Sequence, residues 1–116
     1  MLRSGAILLI SIFALSCTQK ESAPQSPEQL TAENLKARGQ QVYFANCTSC
    51  HNPNPKLDGS VGPALAGASL ELLRARVTTK SYPAGYKPKR ATDVMPAFPH
   101  LAPEVEALSA YLSNFQ

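Results

Sequence analysis

The chain has 116 residues, Lys+Arg 11 against Asp+Glu 8, a net charge of +3 and three cysteines. This length leaves room for one domain, which excludes an arrangement of several folded units. The small net charge says little about partners, and we expect no nucleic-acid partner.

The first residues are typical of a bacterial export signal. Arg3 gives a positive start, and an apolar run over residues 6–15 stops just before Cys17. A transmembrane helix needs about 20 apolar residues, so this run is too short to span a bilayer. We therefore expect a cleaved signal peptide over residues 1–16 and an exported protein. The alternative is a short transmembrane helix.

The junction after this run, Ala14-Leu15-Ser16-Cys17, resembles a bacterial lipoprotein box. In such boxes the cysteine becomes the first residue of the mature chain and carries the lipid. We expect lipidated Cys17 to hold the protein on the periplasmic or cell-surface side of a membrane, because several acyl chains suffice for stable attachment. The alternative is plain secretion without a lipid.

Residues 17–29 comprise this cysteine and a segment without large apolar side chains. Such a segment cannot bury enough surface to fold, so we expect a flexible tether. The folded domain then covers residues 30–116, and a domain of this size is short of hydrophobic core. The two remaining cysteines are too few for a disulfide framework, which favours a large apolar cofactor instead.

Three helices are predicted in this domain. Thr31 can cap the first, which runs to about Asn46 and carries an apolar stripe. That stripe consists of Leu35, Gly39, Val42 and Tyr43. Because Gly39 has no side chain, the last helix can approach closely there, near Leu108 or Tyr111.

The second helix opens at Ser69 and extends to about Val77. Its inward residues are Leu70, Leu73 and Val77. Pro103 suits the first turn of the last helix. The stripe of that helix consists of Val105, Leu108, Tyr111, Leu112 and Phe115. Turn-forming residues over 52–68 and prolines over 78–99 predict irregular loops without strands.

Cys47-Thr48-Ser49-Cys50-His51 matches the Cys-x-x-Cys-His pattern of c-type haem attachment. Cysteines three apart stand on the same side of one helical turn, so both sulfurs can bond one edge of a haem. The next residue can then place its imidazole under the iron. We expect one haem c, bonded through Cys47 and Cys50, with His51 as an axial ligand of the iron.

Two other kinds of site could use the same residues. A redox-active Cys-x-x-Cys needs a thioredoxin-like strand, turn and helix, and the chain shows no such pattern. A zinc ion could recruit Cys47, Cys50, His51 and His100. Adjacent Cys50 and His51 would, however, struggle to face one tetrahedral ion.

Met95 is the candidate for the second axial position. Pro96 keeps it out of a helix, so a loop can lay its thioether on the iron. The alternatives are a methionine that only fills the core, or a second histidine ligand at His100. Closure of both axial positions leaves no site for oxygen or substrate, which favours electron transfer over catalysis.

The Cys-x-x-Cys-His motif, the later Met-Pro and the closing amphipathic helix resemble the single-haem class I cytochromes c of bacteria over about residues 35–116. The resemblance implies an all-α, cytochrome c-like fold, with about three helices and long loops wrapped around one covalently bound haem. It also implies that the Pro63 carbonyl accepts a hydrogen bond from His51, which orients the ring, and that Leu65 packs on the haem face. From the residues alone, Gly62-Pro63 could be only a turn.

A basic stretch, residues 74–90, precedes Met95 and contains six basic residues and no acidic one. Its basic members are Arg74, Arg76, Lys80, Lys87, Lys89 and Arg90. The stretch could dock an acidic redox partner near the haem edge, or pair with the haem propionates. The alternative is a solvated face.

These features predict an electron carrier that is tethered to a membrane surface and has no catalytic activity of its own. One alternative is a haem c subunit of a larger oxidoreductase, or a small haem enzyme or sensor with a displaceable methionine. Another alternative is a structural lipoprotein without haem.

Overall fold

The computed structural model describes residues 27–116. This part of the chain forms three α-helices, which are α1 (Pro27–Asn46), α2 (Leu70–Thr79) and α3 (Val105–Leu112). Two short 3-10 helices flank α3, and they cover Pro99–Glu104 and Ser113–Phe115. No strand occurs within the described residues. The prediction of an all-α fold with about three helices and long loops is confirmed.

α1 begins earlier than the sequence predicts. Its first residue is Pro27, so the expected start at Thr31 was wrong. Proline is favourable in the first turn of a helix, because the N–H that it lacks would have no partner there. Residues 27–29, which the sequence assigns to the tether, are therefore helical.

The contact between α1 and α3 is the most extensive one between helices, and Gly39 lies in it. A Cβ atom at this position would overlap the carbonyl oxygen of Ala107 and lie 2.9 Å from the Cβ of Tyr111. The predicted close approach at Gly39 is confirmed. Leu35, one turn earlier, is 41% exposed, so the inward stripe of α1 begins at Gly39 and not before it.

The core combines residues of all three helices and of the 3-10 turn before α3. Its buried members are Val42, Tyr43, Leu73, Val77, Leu101, Val105, Leu108, Tyr111 and Leu112, with Phe115 partly buried against them. The Tyr43 hydroxyl donates a hydrogen bond to the Asn52 carbonyl at 2.6 Å, which ties α1 to the loop that follows it.

α2 begins where the sequence predicts. The Ser69 hydroxyl accepts a hydrogen bond of 3.1 Å from the backbone N–H three residues further on, which caps the helix. The helix runs on to Thr79 and ends at Lys80, whose φ of 59° is left-handed. Leu70 is 37% exposed, so its predicted inward position was wrong. It lies in the first turn, and the buried face of α2 starts at Leu73.

Two irregular loops, residues 51–69 and 80–98, connect these helices, as predicted. Backbone hydrogen bonds hold both loops in place. The Gly62 N–H bonds to the Cys50 carbonyl at 2.9 Å, and the Phe98 N–H bonds to the Val77 carbonyl at 2.6 Å. Together the loops and helices enclose a cavity.

Candidate functional site

The cavity contains about 1270 Å³ of space between protein atoms, with solvent at its mouth included, and its lining is mostly apolar. Residues from both loops and all three helices form its wall. All six residues that the sequence places around a cofactor are part of this wall, although they come from distant parts of the chain. They are Cys47, Cys50, His51, Pro63, Leu65 and Met95.

Cys47 and Cys50 follow directly on α1. The N–H groups of Cys50 and His51 donate to the Cys47 carbonyl at 3.2 and 2.9 Å, so the chain makes one further turn there. Both thiols are free and partly buried. Burial raises the pKa of Cys47 to about 11, so its sulfur is a protonated thiol at neutral pH. The turn thus presents two unpaired sulfurs to the same cavity.

His51 is buried, with 8% of its surface exposed. Its Nδ1 lies 2.8 Å from the Pro63 carbonyl oxygen. Because a carbonyl only accepts, Nδ1 carries the hydrogen of the neutral ring and Nε2 keeps a lone pair. Burial lowers the pKa of His51 against the opposing effect of the Pro63 bond, which favours this neutral form. A neutral imidazole with an available Nε2 is a good metal ligand.

Glycine makes room for this histidine. A Cβ atom at Gly62 would lie 2.5 Å from Nδ1 and 2.8 Å from Nε2 of His51. At Gly59 it would lie 2.7 Å from the backbone nitrogen of Asn52. The sequence predicts turns at both glycines, but the steric reason for Gly62 is the histidine ring, which only the structure shows.

Met95 enters the cavity from the second loop. Its side chain is partly buried, packs against the core and lines the same cavity as His51. His100 is exposed, belongs to the 3-10 helix Pro99–Glu104 and is not part of the cavity wall. Of the two candidates for the second axial position, only Met95 therefore reaches the site.

The zinc and thioredoxin alternatives gain no support. Within the described residues, no group of three or more His, Cys, Asp or Glu side chains could hold a metal ion. The same part of the chain also lacks the strand that a thioredoxin-like site requires.

A comparison with protein families identifies the family of this chain. The model of the family described as Cytochrome C oxidase, cbb3-type, subunit III matches residues 24–112. The chain belongs to this family of c-type cytochrome domains. The predicted resemblance to class I cytochromes c is thereby confirmed. No curated protein and no solved structure matches the chain.

Haem c is the cofactor that a cytochrome c domain implies, and the cavity fits it in three respects. Its lining is mostly apolar, as a large flat porphyrin requires. Two free thiols stand one turn apart at its wall, in the Cys-x-x-Cys-His motif. The buried imidazole beside them is neutral and has its Nδ1 engaged by protein, which leaves Nε2 for iron.

Cytochrome c domains are generally exported. Within residues 27–116, no helix of the cytochrome is long and apolar enough to cross a membrane. The predicted signal peptide, Cys17 and the tether up to residue 26 lie outside the described residues.

The basic stretch of the cytochrome makes more internal contacts than a solvated face would. Arg74 pairs with Glu106 at 3.6 Å, and Arg90 pairs with Asp58 at 3.3 Å. The Lys89 ammonium donates to the Ala64 carbonyl at 2.8 Å. Lys89 and Arg90 thus connect the second loop to the first beside the cavity, which both residues line.

Arg76 is the residue of this site whose role the sequence does not reveal. The basic stretch groups it with exposed charges, yet the structure leaves it only 8% exposed on the cavity wall. Its guanidinium lies 4.3 Å from the centre of the Tyr82 ring. A signal exists, because Arg76 follows Leu73 by three residues and precedes Val77, which places it on the inward face of α2.

Proposed function

We propose that the protein is a single-haem electron carrier in which Cys47 and Cys50 bond haem c and in which His51 and Met95 ligate its iron. One observation carries this proposal. His51 is buried and neutral with its Nδ1 bound to Pro63, and it shares an apolar cavity with both free thiols and the Met95 thioether.

A bound haem would supply reversible one-electron chemistry, and the residues of the chain would set its reduction potential and its exposure to water. Pro63 holds the His51 ring in one tautomer and orientation and increases its basicity. Met95 closes the other axial side and raises the reduction potential. Leu65 adds an apolar side chain to the wall of the cavity, which limits access of water. With His51 and Met95 as its two ligands from the protein, a bound haem would supply electron exchange and leave no position for a substrate.

Tethering to a membrane is the second part of the proposal. Lipidated Cys17 would anchor the chain, and residues 18–26 would connect it to α1. A flexible linker of nine residues would have an r.m.s. length of about 17 Å, which would let a small domain turn toward different partners. The lipoprotein-like junction Ala14-Leu15-Ser16-Cys17 supports this arrangement.

An acidic redox partner is the third part. Lys87 and Lys89 are exposed, Lys89 lines the cavity, and Lys87 makes no ion pair within the described residues. Electrostatic attraction accelerates association and weakens with salt. We expect the rate of electron transfer to an acidic acceptor to fall as ionic strength rises, and to fall in a Lys87→Glu variant. A rate that is independent of salt would contradict docking through this stretch.

An absorption spectrum of the matured full chain tests the haem and both ligands. We expect a covalently bound haem whose ferric form shows the methionine-to-iron band and whose ferrous form does not bind carbon monoxide. Met95→Ala should remove the band and allow carbon monoxide to bind. Ala97→Ser is the matched control, because Ala97 lies two residues further along the same loop, is exposed and is not part of the cavity wall. Ready binding of carbon monoxide by the unmodified protein would contradict a closed iron.

The family match favours a second candidate, a haem c subunit of an oxidase. The chemistry of the site is the same in both cases, and the assembly differs. Native electrophoresis of gently solubilised membranes, stained for covalent haem, separates the two. Migration of the haem band with a terminal oxidase activity indicates a subunit, and migration as a free small protein indicates a carrier.

A further inference from the structure

The loop that carries Met95 has no regular secondary structure, so something else must hold the thioether in the cavity. On each side of Met95, this loop makes a contact with the C-terminal end of α2. Asp93, two residues before Met95, pairs with Arg76 and Lys80. Phe98, three residues after it, donates its N–H to the Val77 carbonyl at 2.6 Å. Met95 thus lies between two contacts of its loop with the C-terminal end of α2.

Arg76 is the fixed half of the first attachment. Its side chain is only 10% exposed, and its Nη1 donates to the Lys80 carbonyl at 2.8 Å. The Tyr82 ring covers the guanidinium, and Tyr86 stacks on Tyr82 with the ring centres 5.4 Å apart. The guanidinium is thus held by the end of its own helix and by Tyr82 at the start of the loop, and both contacts lie more than ten residues before Met95.

Asp93 is the exposed half of this attachment. Its carboxylate is 65% exposed, with one oxygen 3.4 Å from Arg76 and the other 3.3 Å from the Lys80 ammonium. At 3.4 Å the contacts with Arg76 are those of an ion pair more than of a close hydrogen bond. Such a contact is weak enough to open, and its opening releases the loop on the N-terminal side of Met95.

We infer that Arg76 is a positioning residue that holds Met95 on the haem iron through Asp93. This inference rests on the proposed ligation by Met95. The ion pair sets the fraction of molecules in which the thioether has left the iron. An external ligand competes only for that open fraction, so its apparent affinity measures the fraction directly.

Imidazole binding to the ferric, matured full chain tests this inference. We expect about two- to fivefold tighter imidazole binding in Asp93→Asn and in Arg76→Lys, in keeping with the modest strength of a partly exposed ion pair. The double variant should bind no more tightly than Asp93→Asn alone, because that change already removes the ion pair with Arg76. Without imidazole, Asp93→Asn should keep the methionine-to-iron band, because the Asp93 carboxylate is exposed and is not part of the cavity wall.

Matched controls separate this role from a general loss of stability. Arg74→Lys makes the same change two residues earlier on α2, in an exposed pair with Glu106, and should leave imidazole affinity unchanged. Asp93→Glu keeps the charge and should stay close to the unmodified protein. Asp93 is exposed, so its variants remain informative even if an Arg76 variant does not fold.

Two results would overturn the inference while the proposed ligation stands. In one, Asp93→Asn binds imidazole as weakly as the unmodified protein. In the other, Arg76→Lys has an effect in the Asp93→Asn background as large as in the unmodified chain, which means that Arg76 acts through another group. If the unmodified protein binds imidazole as tightly as Met95→Ala, the proposed ligation itself fails and the positioning role fails with it.

Discussion

The Nδ1 of His51 lies 2.8 Å from the carbonyl oxygen of Pro63, while Gly62, the residue before that proline, lies against the imidazole ring. The same short segment therefore orients the ring through the Pro63 carbonyl oxygen, and it can lie against the ring because Gly62 has no Cβ atom. A proline at 63 fixes the local backbone, and the missing side chain at 62 lets that backbone reach the histidine.

We expect Gly62→Ala to disturb the site directly. The added methyl group would meet Nδ1 and Nε2 of His51 at 2.5 and 2.8 Å, so either the ring or the loop must shift. Overpacking of this kind costs about 1–3 kcal/mol of unfolding free energy. The absorption spectrum should change as well, and the yield of matured haem protein should fall.

Gly85→Ala is the control for that experiment. Gly85 has a φ of 77° and no atom within 4 Å of an added Cβ. Alanine there costs about 1–2 kcal/mol through backbone strain alone, so Tm should fall while the spectrum stays the same. A Gly62→Ala protein with an unchanged spectrum would show that the ring has more room than the structure gives it.

Asp58 should make stability depend on pH in the acid range. Its carboxylate accepts a hydrogen bond from the Ala64 N–H at 2.7 Å, and this bond, aided by Arg90, lowers its pKa below the ordinary 3.8. The folded state thus favours the ionised form. This contribution is complete above the ordinary pKa and is lost as pH falls through the lower folded value.

Replacement of Asp58 by asparagine keeps an acceptor for the Ala64 N–H and removes the charge. We expect urea unfolding of Asp58→Asn to lose less stability than the unmodified protein as the pH falls below about 4. Glu33→Gln, on the exposed side of α1, should not change this dependence. Parallel stability curves for the unmodified protein and Asp58→Asn would contradict a role for this carboxylate.

Periodicity and motif spacing predict the parts of this fold that depend on local rules. The Ser69 cap, the stripe of α3 and the one-turn spacing of Cys47 and Cys50 are properties of short segments, so one sequence suffices to find them. The irregular loops follow from proline and glycine in the same way. The close approach of the last helix at Gly39 follows from the sequence as well, because a small residue in an apolar stripe indicates a helix crossing.

What the sequence misses depends on contacts between distant segments. In the sequence, Arg76 is one of the six basic residues of the basic stretch. Only the fold shows that it is buried in contact with Tyr82 and Asp93. Pro27 reads as a tether residue, because proline is common both in flexible segments and at helix starts. Leu35 has the right spacing but lies beyond the crossing, so it stays exposed.

The crossing of α1 and α3 predicts a cost for a side chain at Gly39. In Gly39→Ala the methyl group would overlap the Ala107 carbonyl and force the helices apart. We expect the free energy of unfolding to fall by about 1–3 kcal/mol, despite the better helix propensity of alanine. Gln40→Ala, at the next and exposed position of α1, should be close to neutral. Equal stability of both variants would contradict a tight crossing.

Lipidation of Cys17 would place the protein in the membrane fraction. If Cys17 carries the anchor, Cys17→Ser should move the matured cytochrome from the membrane fraction to the soluble exported fraction, with its haem spectrum unchanged. Mass spectrometry of the unmodified chain should show a mature N-terminus at Cys17 with added acyl groups. Ser22→Ala, within the tether, should stay on the membrane. A soluble unmodified protein that begins at another residue would favour plain secretion.

The cofactor should be part of the core, because the core side chains are also the cavity wall. Leu73, Leu101, Leu108 and Leu112 are buried and line the cavity. An unfilled cavity costs about 24 cal/mol of stability per Å³. The cost of leaving a space the size of a haem empty is therefore similar to the whole free energy of unfolding of a typical protein, about 5–15 kcal/mol. We expect a Cys47→Ser/Cys50→Ser variant, which cannot bond haem, to show little helix by circular dichroism. Cys17→Ser, which keeps the haem site, should retain the full helical signal. Cooperative unfolding of a haem-free chain with native helix content would show that the helices support one another without the cofactor.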